Sequence, residues 1–327
     1  MQESSPHPQQ GLPSANALRN AFAGSGHLLH MPSHIDMRVG QYTQAMGANQ
    51  RSIAADLQYL AQVDAQGAYR VGYVAHNHHF LWAAASMAGQ QQVALGAAQA
   101  AYTAACGPGA RDPGLAIVSH YAVLPYFTRV RFGLWDEMLR GTPPPDAPGP
   151  YALAVWHYAR ATAAARTGDL ALAEREEALL QRLAAVPALA KVRVKNINPA
   201  LHVLHIAQLT LQADLALARQ QPAAAVALLR EATATEDSLQ YDEPHLWLAP
   251  TRQALGAALL AAGQPAQAEQ VYRQDLAHYP ANAWSLAGLS QALHLLGPAQ
   301  ATAAQQAREQ AQAAWTGPTP APAGSRF

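Results

Sequence analysis

A recurring turn signature, glycine followed five residues later by alanine, restricts the fold of this 327-residue chain more than any other feature. It occurs at Gly40/Ala45, Gly89/Ala94, Gly168/Ala173 and Gly263/Ala268, with weaker versions at Gly133/Met138, Gln220/Ala225 and near Gly297. Glycine in that setting can end a helix in the left-handed conformation, and a small residue lets the next helix pack closely. The intervals run from 34 to 52 residues, the period of stacked helical hairpins. No convincing period-two strand interrupts them. An apolar content of 50%, rich in alanine and with only 7% aromatics, suits closely packed helices.

Histidines fall in register with these turns. His27, His30 and His34 are spaced by three and four, which stacks side chains on one face of a helix. His27 and His76 each lie thirteen residues before their turn glycine, His30 and His79 ten before, and His120 thirteen before Gly133. Packed helices run about 8–10 Å apart, so imidazoles from successive units can converge. The predicted ligand set for a transition metal is His30, His34, His76 and His79, with His27, His120, His205 and His245 as further candidates. The alternative is a hydrogen-bonded polar groove without a metal. Pro32 either kinks the first helix or starts it; in the second case His27 and His30 precede the helix. Ligation by imidazole alone favours Lewis-acid polarisation or activation of bound water or dioxygen. Zinc, copper and iron all accept imidazole, and the sequence does not choose among them.

Two other residues are candidate catalytic groups. In Tyr241-Asp-Glu-Pro-His-Leu-Trp247, Pro244 forces an extended Glu243 and is expected to help start a helix. Glu243 or His245 is then a general base or an added ligand; alternatively the segment is an acidic helix entry. Arg38, on the same face as His34, holds a carboxylate substrate or caps the helix end. The pair His202 and His205 reads as helix packing. Lys191-Val-Arg-Val-Lys195 reads as a solvated connection, and Cys106 as a buried small residue. There is no P-loop, dinucleotide glycine fingerprint or nucleophile elbow.

Charge is balanced, 21 basic against 21 acidic residues, which argues against nucleic acid as a partner. One cysteine allows neither an intrachain disulfide nor a thiolate zinc cluster. No stretch reads as a signal peptide or a membrane span, so a soluble, cytoplasmic protein is expected. Residues 1–14 are expected to be a disordered tail, 15–315 a helical domain and 316–327 a disordered proline-rich tail. Gly141–Pro150 reads as a long connection between helices.

The unit starting at Gly263 carries Ala268, Tyr272, Pro280 and Leu289 at small, aromatic, helix-stop and packing positions. In this it resembles the tetratricopeptide repeat. That resemblance implies an all-α, right-handed solenoid of stacked hairpins with irregular, long repeats. It also implies that positions six, ten and thirteen before each turn face the concave groove. More narrowly, His27–Ile35, His76–Leu81 and Tyr241–Pro244 resemble the His-x-x-His-Met-Pro-Ser-His-Ile, His-Asn-x-His-Phe-Leu and Tyr-Asp-Glu-Pro motifs of a bacterial branch, for which no activity is implied. The expected function is a metal-dependent enzyme acting on a small molecule or peptide in the groove. Oxidoreductase chemistry is favoured over a zinc-dependent hydrolase, because no carboxylate base is visible beside the histidines. A non-catalytic scaffold gripping a peptide or protein partner is the alternative.

Overall fold

Each turn glycine named above adopts the left-handed conformation in the computed structural model: φ is 77° at Gly40, 76° at Gly89, 65° at Gly133, 90° at Gly168, 69° at Gly263 and 99° at Gly297. Gln220 plays the same part with φ of 60°. The residues five positions after the first six of these turns are sealed from solvent: Ala45, Ala94, Ala173, Ala225 and Ala268 at 0% exposure and Met138 at 1%. The turn sets the direction and the small side chain sets the distance at which the next helix returns.

Residues 2–21, 24–63, 69–106, 116–143, 149–247 and 249–327 are described, and they are overwhelmingly helical. The only strands among them are Arg193–Val194 and Asn198–Pro199, an antiparallel pair. Its connection uses Lys195 and Asn196 with φ of 52° and 60°. The Val-x-Val alternation over residues 192–194 is its only trace in the sequence. Neighbouring helices in the chain pack on one another, as Ala75–Met87 does on Gln91–Cys106 and Pro150–Thr167 on Leu170–Ala184. No helix among the described residues is long and apolar enough to cross a membrane.

The beginning and the end of the chain also meet. The Tyr42 hydroxyl donates to the Pro280 carbonyl (3.0 Å), and the Trp284 indole donates to the Ser86 carbonyl (3.1 Å). The Thr316 amide donates to the Ala88 carbonyl at 2.9 Å. A side chain at Gly40 would put its Cβ 2.3 Å from the Pro280 carbonyl oxygen, so this contact needs glycine for space as well as for φ.

Both tails differ from the sequence-based expectation. Pro8–Gly11 forms a 3-10 turn and Leu12–Leu18 an α-helix, with Pro8, Gly11 and Ala15 buried. Arg19 then grips buried Asp36 through two bonds of 2.8 and 2.5 Å. At the other end, Arg326 makes a bidentate pair with buried Asp214 (2.8 and 2.9 Å), and Phe327 packs on Trp284. In each case a buried carboxylate takes an arginine, Arg19 just past the expected first tail and Arg326 within the second, a demand invisible to local composition. Of the Gly141–Pro150 connection, residues 144–148 lie outside the described residues. Cys106 ends the helix Gln91–Cys106 partly exposed, not buried.

Candidate metal centre

Pro32 divides the first histidine segment into two short helices, Gly26–His30 and Pro32–Arg38. Proline has no amide hydrogen and starts the second helix at its first position. The linking residue Met31 nonetheless stays helical (φ −52°, ψ −35°), so the four-residue spacing of His30 and His34 survives the break. Their Nε2 atoms lie 3.0 Å apart. His76, in the first turn of Ala75–Met87, brings its Nε2 to 3.1 Å from that of His30. Among the described residues these three are the group whose ligand atoms cluster, all within 4.8 Å of one another.

Partners on the outer side of two rings fix what faces inward. On the helix Tyr42–Gln62, Asn49 donates its amide to the Ala45 carbonyl (2.8 Å), an atom that can only accept. Its Oδ1 therefore faces His30 Nδ1 at 2.7 Å, and that nitrogen must carry the hydrogen. The Nε2 of His30 is left as a lone pair. His34 Nδ1 likewise donates to Glu243 Oε2 at 2.5 Å, turning its own Nε2 toward the cluster. A single lone pair on His30 is thus approached by two other Nε2 atoms. A cation held by all three would satisfy them together: nitrogens about 2.0–2.1 Å from one metal and about 90–110° apart lie about 2.9–3.4 Å from each other. The separations of His30 from His34 and from His76 fall in this range, and with His34 and His76 within 4.8 Å of each other the three rings could close on one metal.

The ring protonation states favour the same outcome. Burial, reinforced by His34, pushes the His30 imidazole down to about 3, against the opposing bond to Asn49. Burial also holds His76 well below the usual imidazole range, with His30 and Lys195 adding to the effect. Both are neutral, the ligating form. His30 is fully buried, whereas the His34 side chain is 14% exposed, so the cluster has one open side. Phe80 walls the cluster, its ring centroid 4.5 Å from His30, 4.5 Å from His34 and 4.9 Å from His76.

Glu243 reaches His34 from 209 residues away along the chain. It belongs to an extended segment, not to a helix start. The next helix begins only at Thr251, because the cis Glu243–Pro244 bond lies in a non-helical run. The segment is clamped from behind. Lys195 Nζ donates to Asp242 Oδ1 (2.9 Å) and to the Glu243 carbonyl (2.7 Å). Asn198 pairs with both backbone groups of Gln240, at 2.9 and 2.8 Å. The Tyr241 hydroxyl donates to Glu243 Oε1, and burial together with that carboxylate raises the phenol pKa. A carboxylate behind a histidine fixes its tautomer and raises its basicity as a ligand.

The remaining predicted ligands go elsewhere. His79 does not join the triad: it stacks on Trp82 (5.4 Å) and faces His120 (5.5 Å). Three residues along a helix rotate a side chain by about 300°, which turns His79 toward the next helical unit, while the four-residue step to Phe80 keeps that ring at the triad. His120 meets the Tyr151 hydroxyl at 3.2 Å. His27 packs edge-on against Tyr73, 6.1 Å from the His30 ring. His205 lies toward the surface beside Glu231, and His245 packs on Tyr279. Arg38 lies 5.3 Å over the Tyr241 ring, beyond Glu243, and not at the Nε2 atoms. Sequence reasoning missed Asn49, Lys195 and Asn198. For Asn49 a signal existed: Asn49, Ser52 and Asp56 form a buried polar stripe at helical spacing.

No protein-family model matches this sequence, and comparison with curated proteins returns no match.

Proposed function

We propose that this chain is a metal-dependent enzyme in which His30, His34 and His76 hold one transition-metal ion, with Glu243 and Asn49 orienting two of the rings. The observation that carries the reading is the convergence of three Nε2 atoms at 3.0 and 3.1 Å, with the outer nitrogens of His30 and His34 already committed. Three protein ligands leave coordination positions for water, dioxygen or substrate. In this reading the helical hairpins stack as a right-handed solenoid of the tetratricopeptide type, and a small molecule or peptide is the substrate.

Glu243 bears on the choice of chemistry. It stands beside the histidines, but its two oxygens serve His34 Nδ1 and the Tyr241 hydroxyl. It sits across the His34 ring from Nε2, on the wrong side to take a proton from a metal-bound water. This supports oxidoreductase chemistry, with copper or iron, over zinc-dependent hydrolysis. A peptide-gripping scaffold has less in its favour, since His30, His79 and His120 are fully buried and offer no surface to a peptide.

The test is elemental analysis of protein purified without a histidine tag. About one equivalent of copper, iron or zinc is expected, falling to about none in His76→Ala with the fold retained by circular dichroism. A folded, metal-free wild type that takes up none of the three when they are supplied would end the proposal.

A further inference from the structure

A cavity of about 440 Å³ lies beyond the Tyr241–Glu243 bridge. Arg38, Gln240, Tyr241, His245, Trp247 and Tyr279 contribute to its wall, and none of the three clustered histidines does. A molecule there would meet the outer support of His34, not the inward nitrogens. Its volume falls in the range of about 300–1,000 Å³ typical of small-molecule sites.

Most charges on this wall are already matched. Arg252 pairs with Asp237 through two bonds of 2.7 Å, and Asp242 pairs with Lys195 at 2.9 Å. Glu236 accepts from the Thr251 amide (2.8 Å) and hydroxyl (2.5 Å), and burial pushes its carboxyl up to about 7. Arg38 differs. Its guanidinium rests over the Tyr241 ring and reaches the Ser5 carbonyl only at 3.4 Å, with no carboxylate partner among the described residues. Trp247 and Tyr279 add aromatic surface to the same wall. The wall therefore presents one cation without a carboxylate partner among aromatic rings.

We propose that this cavity binds a small carboxylic acid with an apolar or aromatic body, the carboxylate on Arg38 and the body against Trp247 and Tyr279. A guanidinium fork matches the two oxygens of a carboxylate, and the stack on Tyr241 holds its plane. The carboxylate can belong to a free acid or to the C-terminus of a short peptide. This site does not depend on the metal reading, because it shares no ligand with it.

The experiment is an NMR titration of the full chain, with no metal added, using 3-phenylpropionate and its amide. A pentapeptide ending in phenylalanine, with a free or an amidated terminus, is titrated in parallel. The acid is expected to bind at least about tenfold more tightly than the amide, and Arg38→Gln to erase that difference. Trp247→Phe, which trims the ring against which the body packs, should weaken the acid and the amide alike by about threefold. It also supplies a readout if Arg38→Gln fails to fold. Tight binding of the peptide acid assigns the site to peptide termini; binding of phenylpropionate alone assigns it to free acids. Equal binding of acid and amide, an unchanged Arg38→Gln titration, or no binding of any acid up to about 10 mM would overturn the proposal.

Discussion

Two histidine groups lie side by side in this molecule and differ in how their ring nitrogens are partnered. In the first, His30 and His34 each commit Nδ1 to an acceptor, and three Nε2 atoms converge. In the second, both nitrogens of His79 and Nε2 of His120 are buried with no partner at all. Each group has fully buried rings, His30 in the first and His79 and His120 in the second, all at 0% exposure, and burial pushes all three imidazoles down. Register and burial therefore do not make a metal site. What sets the triad apart is a pair of outer partners, Asn49 and Glu243, that orient two of the rings toward a point where a metal ion could be held.

The sharpest way to break this contrast is to delete one ring from each group. His34→Ala is expected to reduce bound metal from about one equivalent to about none, whereas His79→Ala leaves it at about one. Metal lost equally from both variants would mean that the two groups act as one.

Acid acts on both groups, since burial pushes down His30 and His76 as well, and a His120 variant isolates the second. His120 and His79 have folded pKa values below the ordinary imidazole range, His120 at about 3. Below about pH 6.5 the unfolded chain takes up protons that these rings refuse. Their contribution to stability is therefore complete above about 6.5 and declines as pH falls toward 3. Each ring should add about 1.4 kcal/mol per pH unit to that decline. Denaturant titrations of His120→Phe should show a shallower acid slope than wild type. An unchanged slope would show that His120 is protonated in the folded protein.

Removing an outer partner sharpens the comparison at the triad. Glu243→Gln keeps the three nitrogens but weakens the orientation of His34, and metal affinity should fall by about 10–100-fold. Metal competition with a chromophoric chelator measures it; unchanged affinity would remove Glu243 from the site. The smallest effect is expected for His79→Phe. Replacing a ring whose buried nitrogens lack partners should leave thermal stability unchanged or raise it by about 1–3 kcal/mol. A marked loss would reveal a partner for His79, such as a bound water.

Much of the helical framework was legible before any coordinates. A left-handed glycine and a buried alanine five residues on are local requirements, and the sequence states them four times in full and twice in weaker form, at Gly133/Met138 and Gln220/Ala225. The convergence of His30, His34 and His76 was legible for a similar reason, since turn register places them on approaching faces. His79 was misplaced because three residues fall short of a full helical turn, a difference that shared register conceals. Glu243 and Arg38 were singled out, but not their relation to His34. That relation depends on a contact across 209 residues and on Lys195, which a basic, alternating stretch disguised as solvated chain.

The junction of Tyr42 with Pro280, Trp284 with Ser86 and Thr316 with Ala88 has a consequence for how such a chain can vary. A linear array tolerates gain or loss of a terminal unit, because each unit leans only on its neighbours. Here the last units brace the first, next to the segment that presents His30 and His34. Insertion or excision of a hairpin would shift that brace out of step, so this architecture admits drift in its loops but not in its number of units.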